Sequence, residues 1–178
     1  MYFEFVEFYK RDVYFEYDDD RNSISQFDFI EGIKIALSQP LHYNVDKLDS
    51  YLKSYDLLPT FAAPLVSDRF RSLFESLENI ELEFHKAIIS DKKGNMESGF
   101  YALNILNKIA CLDMQKSVTE ITSYGTLRIE KLYITSNALG SRSIVRMEEK
   151  QSCIIVTEEF KKNCEKSKLK GIHFVQIG

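Results

Sequence analysis

The 178-residue sequence contains no tryptophan, three prolines, seven glycines, three histidines and three cysteines. Each scarcity excludes something. No two glycines lie within four residues of each other, so neither a Gly-x-Gly phosphate loop nor the dinucleotide fingerprint is present, because both need glycine where the backbone approaches a phosphate. His42, His85 and His173 have no second His or Cys at metal-ligand spacing, so a local zinc motif is excluded and no metal or other cofactor is expected. Cys111, Cys153 and Cys164 form no C-x-x-C pair and leave an odd thiol, the usage expected in a reducing compartment, which points to the cytoplasm. No run of about 18 apolar residues occurs, so no membrane-spanning helix is expected. The apolar start, Met1 to Phe8, is broken by Glu4 and Glu7 and lacks the basic region of a signal peptide.

Hydrophobic residues make up 44% and charged residues 28%, values that suit a globular core. The length suits one domain spanning residues 1–178. With thirteen Phe and ten Tyr, rings must supply much of the buried area. Net charge is −4, but residues 1–20 hold seven acids against Lys10 and Arg11, so that stretch carries −5 and the rest of the chain +1. An acidic end repels a phosphate backbone and attracts a basic partner, so nucleic-acid binding is not expected. Glu16, Asp18, Asp19 and Asp20 form the densest part. They read either as a solvated turn or as an electrostatic docking surface, and they are the candidate partner-binding residues.

Period-two alternation of Val13, Phe15 and Tyr17 predicts a strand, ended by the turn Asp18 to Asn22 and paired as a hairpin with the Phe-rich first segment. Asn44 before Val45, Leu48, Leu52 and Tyr55 predicts a capped amphipathic helix that stops before Pro59. Two prolines mark Leu58 to Pro64 as an irregular connection. Polar Ser90 to Gly99 before the apolar run Phe100 to Leu106 predicts a hairpin. Leu127 to Thr135, Ser143 to Arg146 and Cys153 to Val156 read as strands. Ser117 and Glu120 fit a capping box, whereas Thr119, Ile121 and Thr122 prefer a strand, so that segment stays open.

An internal echo recurs at an offset of 90 residues: Val66-Ser67-Asp68-Arg69-Phe70-Arg71 with Leu82 and Phe84, then Val156-Thr157-Glu158-Glu159-Phe160-Lys161 with Ile172 and Phe174. Both copies spell strand, hydroxyl cap, acid at the helix start, helix and strand. Either one unit was duplicated or ordinary local preferences produced two similar units. Phe70 and Phe160 read as core anchors. Phe70, Leu73, Phe74 and Leu77 form one apolar stripe, and the second helix offers Phe160 and Cys164 before an end rich in lysine and closed by Gly171. In the strands that follow, Ile80, Leu82 and Phe84 face inward, as do Ile172, Phe174 and Gln176, while Glu81, Glu83, His85 and His173 face solvent. The chain is therefore α+β and strand-rich, with a largely antiparallel or mixed sheet, about three helices and a possible repeated strand-helix-strand unit.

No catalytic constellation emerges. Cys164 sits at the C-terminal end of its helix, where no positive dipole activates a thiolate, and reads as a small buried side chain. Ser141 follows Gly140 without a nucleophile elbow around it. Glu148-Glu149 and Glu158-Glu159 are neighbours that diverge rather than converge across a cleft.

Val66-Ser67-Asp68-Arg69-Phe70, Tyr101-Ala102-Leu103-Asn104-Ile105, Cys111-Leu112-Asp113 with Ser117, Ile144-Val145-Arg146, Ile155 to Phe160 and Lys170-Gly171-Ile172-His173-Phe174 follow one another in the order of a known pattern. On these motifs residues 56–178 resemble a family of bacterial immunity proteins encoded beside polymorphic toxins and first catalogued as a domain of unknown function. The resemblance divides the chain into a variable N-terminal portion, 1–60, and a family-like core, 61–178. It implies a non-enzymatic protein that binds a cognate toxin domain made by the same cell and blocks its active site or its access to substrate. No toxin-contacting residue carries over, because the matching positions read as core. Contacts are expected from surface loops and the unmatched N-terminal portion. The alternatives are a small-molecule-binding protein or enzyme on the same fold, or a scaffold in an assembly, and a homo-oligomer stays open.

Overall fold

A computed structural model describes residues 1–75 and 81–178. The strands and helices run β1 (Tyr2–Glu7), β2 (Glu16–Tyr17), β3 (Leu41–Val45), β4 (Leu57–Leu58), β5 (Leu65–Ser67), α1 (Asp68–Phe74), β6 (Leu82–Asp91), β7 (Met96–Ile105), β8 (Lys108–Ile109), β9 (Val118–Ile121), β10 (Leu127–Lys131), β11 (Ile144–Met147), β12 (Ile154–Thr157), α2 (Glu158–Lys166) and β13 (Ile172–Gln176). They form a six-stranded sheet, β2-β3-β6-β7-β5-β4, a five-stranded sheet, β13-β1-β12-β11-β8, and the two-stranded β10-β9. Pairing is antiparallel except for β3 with β6 and β11 with β8, so the larger sheets are mixed. This is an α+β chain with two α-helices among the described residues, not three.

The missing helix is the one expected after Asn44. Leu41–Val45 instead forms β3, parallel to β6, and only a 3-10 turn, Leu52–Ser54, follows. Aspartates capture the backbone N–H groups that a helix would have used. Lys47 N–H donates to Asp46 Oδ1 (2.7 Å), Tyr51 N–H to Asp49 Oδ1 (2.9 Å) and Leu48 N–H to Asp91 Oδ2 (3.3 Å). The expected N-terminal hairpin is also replaced. β1 lies between β12 and β13, and β2 pairs with β3. Phe3 and Phe5 thereby bury in a core shared by both large sheets and both helices.

The echoed segments do form strand, cap, helix and strand. Ser67 Oγ accepts from Phe70 N–H (3.2 Å) and Thr157 Oγ1 from Phe160 N–H (3.3 Å), so each hydroxyl satisfies an N–H that the first helical turn leaves free. In the first unit Val66 opposes Tyr101, which opposes Lys86; in the second Val156 opposes Phe3, which opposes Gln176. Both flanking strands keep the 90-residue offset across an intervening antiparallel strand. Arg71 lies over Tyr101 (4.9 Å) and pairs with Glu75, and Lys161 lies over Phe3 (5.3 Å) and pairs with Glu165. The units face each other, with Phe74 stacked on Phe160 at 4.3 Å and Phe70 6.3 Å from Phe160. Leu77 and Ile80 lie outside the described residues.

Asp56 locks the units together. Its carboxylate accepts from Ser67 Oγ (2.6 Å), Lys170 N–H (2.8 Å) and Arg69 Nη1 (3.3 Å). Gly171 holds φ +86°, and a Cβ there would sit 2.5 Å from the Leu57 carbonyl oxygen, so glycine is required both for the conformation and for the close approach. Lys168, at φ 52°, takes the left-handed position after α2.

The face of β6 expected to meet solvent carries a core of its own. Ala87 and Ile89 pack there with Phe15, Phe29, Leu41 and Tyr43 from the N-terminal segment. His85 is covered on that side, its ring 5.7 Å from Phe29, which corrects its expected exposure. Glu83 is likewise engaged, accepting from Ile35 N–H and Asn104 Nδ2. His173 and Gln176 are exposed, the second against expectation. The segment left open at Ser117 is the strand β9.

Candidate partner-binding site

The four acidic candidates lie together but are not equivalent. Glu16 is on β2, an edge of the six-stranded sheet, and Asp18 to Asp20 form the turn that follows. Asp18 is committed to that turn: Asn44 Nδ2 donates to its Oδ2 (3.0 Å) and Arg21 N–H to its Oδ1 (3.1 Å). The Asn44 bond, above all, holds its carboxyl below the ordinary aspartate range. Glu16, Asp19 and Asp20 are exposed, and among the described residues none has an ion-pair partner. Charge on an edge strand also discourages pairing with another chain, so these residues have a structural use as well.

Beside this patch opens a cleft of about 580 Å³ between β1, β4, the Thr60 to Pro64 connection and the ends of β11 and β12. Tyr14, which also borders the depression next to Glu16, stands at its rim with Phe27 and Phe61. These rings are 57%, 52% and 78% exposed. Arg146 on β11 lines the cleft while only 1% exposed. In the sequence Ile144-Val145-Arg146 reads only as strand. The available signal was a lone cation in a strand with apolar neighbours on both sides.

The guanidinium of Arg146 is held by neutral groups, Nη1 donating to the Gln151 carbonyl and Nη2 to the Ala62 carbonyl (3.4 Å), while Nε has no acceptor among the described residues. Burial pulls its pKa down to about 10, which leaves it charged at neutral pH. All three cysteines are buried and free, and burial pushes every thiol up, Cys111 to about 12, so thiolate is scarce at neutral pH. No group of three or more His, Cys, Asp or Glu among the described residues could hold a metal ion. Among the described residues no helix is long and apolar enough to cross a membrane.

The sequence matches the Imm11 immunity protein family over residues 15–178. The chain belongs to that family. The Imm11 match extends the resemblance seen over 56–178 towards the N-terminus and takes in Glu16, Asp18, Asp19 and Asp20, so the acidic stretch does not lie outside the family region as expected. β1 does lie outside the Imm11 match, although it is an inner strand of the five-stranded sheet. No curated protein matches the chain.

Proposed function

We propose that this protein neutralises a cognate toxin domain made by the same bacterial cell, acting in the cytoplasm by binding and without catalysis. The observation that carries this reading is the Imm11 match over residues 15–178. The acidic edge then steers a basic toxin surface: free carboxylates at Glu16, Asp19 and Asp20 raise the encounter rate with a cation-rich partner. The two strand-helix-strand units are read as copies of one element in a single domain, which their shared register and caps support.

The test is co-expression with the toxin encoded by the neighbouring gene. Protection and a 1:1 complex are expected, and cells that die despite abundant folded protein exclude the reading. Neutralising Glu16, Asp19 and Asp20 together should slow association several-fold at low salt and flatten its salt dependence, as measured by stopped-flow. Asp18→Asn is left out of that variant because it also loosens the turn.

A further inference from the structure

We infer that the cleft over Arg146 receives a carboxylate, an acidic side chain or chain terminus, carried on an apolar segment of the toxin domain; this rests on the immunity reading above. Arg146 is among the largest fully buried side chains, yet no carboxylate among the described residues pairs with it. A buried cation without a counter-ion is unfavourable, and an apolar side chain of similar volume would suit the site better for stability alone. Nη1 and Nη2 each donate to one carbonyl, of Gln151 and Ala62, and Nε has no acceptor among the described residues. Nε with one terminal nitrogen is the edge that grips a carboxylate with two parallel bonds.

The surroundings favour a protein over a free small anion. Exposed rings of Tyr14, Phe27 and Phe61 surround the mouth, and an anion seated on the floor would leave them in water. A toxin segment covers floor and rim at once, placing a desolvated charge pair inside an aromatic ring of contacts, the anatomy of an interface hot spot. Exposed Glu7 on the wall repels a diffusing anion, an effect that a partner with a larger contact area overcomes.

The experiment measures binding of the neighbouring-gene toxin to the full chain. Arg146→Met should fold with an unchanged or raised melting temperature and lose at least 100-fold in affinity, mostly through faster dissociation. Arg146→Lys, which keeps charge but not the fork, should lose about tenfold. Phe61→Ser should lose about tenfold without a change in melting, and Glu7→Gln should bind more tightly. Arg146→Met binding within threefold of wild type overturns the site and leaves the immunity reading standing, whereas a wild-type chain that never binds or protects removes both. If Arg146→Met melts early, Phe61→Ser decides: wild-type affinity there overturns the proposal. As a small-molecule control, N-acetylphenylalanine and its amide are titrated while the Arg146 Nε–H resonance is followed. A millimolar response to the acid alone agrees with the proposal, and micromolar binding of the free acid overturns it in favour of a small-ligand site.

Discussion

In the first strand-helix-strand unit the strand between β5 and β6 is β7, joined to β6 by a tight turn; in the second, the strand between β12 and β13 is β1, from the far end of the chain. Equivalent positions along the two inner strands carry Tyr101 and Phe3, then Leu103 and Phe5. The same local geometry is thus reached through a hairpin in one case and a long-range pairing in the other. Nucleating turns are replaceable where enough apolar area is buried, and in the second unit rings supply it. Phe5 lies 5.9 to 6.2 Å from Phe70, Phe160 and Phe174.

The comparison can be broken first at those rings. Phe160→Ala or Phe5→Ala should cost about 3 to 5 kcal/mol in chemical denaturation, because each ring is buried among other rings. A loss under about 1 kcal/mol would place the ring outside the core. Next comes the junction with the first unit. Gly171→Ala should cost about 1 to 3 kcal/mol from its backbone conformation, with the approach to Leu57 adding to that. Its echo position, Glu81, is exposed, and Glu81→Ala should stay within about 0.5 kcal/mol.

Caps sharpen the contrast further. Thr157→Ala should cost about 1 kcal/mol. Ser67→Ala should cost more, towards about 2 kcal/mol, because Ser67 Oγ also donates to buried Asp56. The smallest effect concerns the hairpin that only the first unit has. Asp91 accepts from Asn95 Nδ2 and from the N–H groups of Lys93 and Asn95, and the Asn95 side-chain bond above all holds its carboxyl below the ordinary range. A depressed folded-state pKa contributes stability that is present above the unfolded value of about 3.9 and is lost as pH falls through the folded value. Asp91→Asn should remove that part of the acid dependence, and hydrogen exchange at Lys93 and Asn95 should report it.

What could be read in advance followed the range of the interactions. Ser67 and Thr157 were legible as caps because hydroxyl, acid and apolar anchor lie within four residues. The β6–β7 hairpin was legible because its turn and both strands are contiguous, but its turn is shorter than the expected Ser90 to Gly99 loop, both ends of which are paired strand, Ser90 opposite Met96 and Ile89 opposite Glu97. The helix expected after Asn44 failed because side chains three and four residues apart fit an apolar stripe equally well when the backbone hydrogen bonds go to Asp46, Asp49 and Asp91. His85 was misplaced because alternation identifies two faces of a strand without saying that both are covered.

The same division applies to the candidate site. Charge alone picked out Glu16 and Asp18 to Asp20, since an excess of carboxylates needs no fold to be counted, but only the folded chain separated Asp18, bound by Asn44, from its exposed neighbours. By itself the sequence determined the starts of α1 and α2, the Phe70 and Phe160 anchors and the absence of phosphate-loop and local metal motifs, all of which rest on residues close in the chain. Tertiary structure alone decided that β1 fills the gap between β12 and β13 and that Arg146 is buried beneath exposed rings without a carboxylate partner among the described residues. Strand pairing and desolvation depend on segments brought together from opposite ends of the chain, and no local pattern encodes which segments meet.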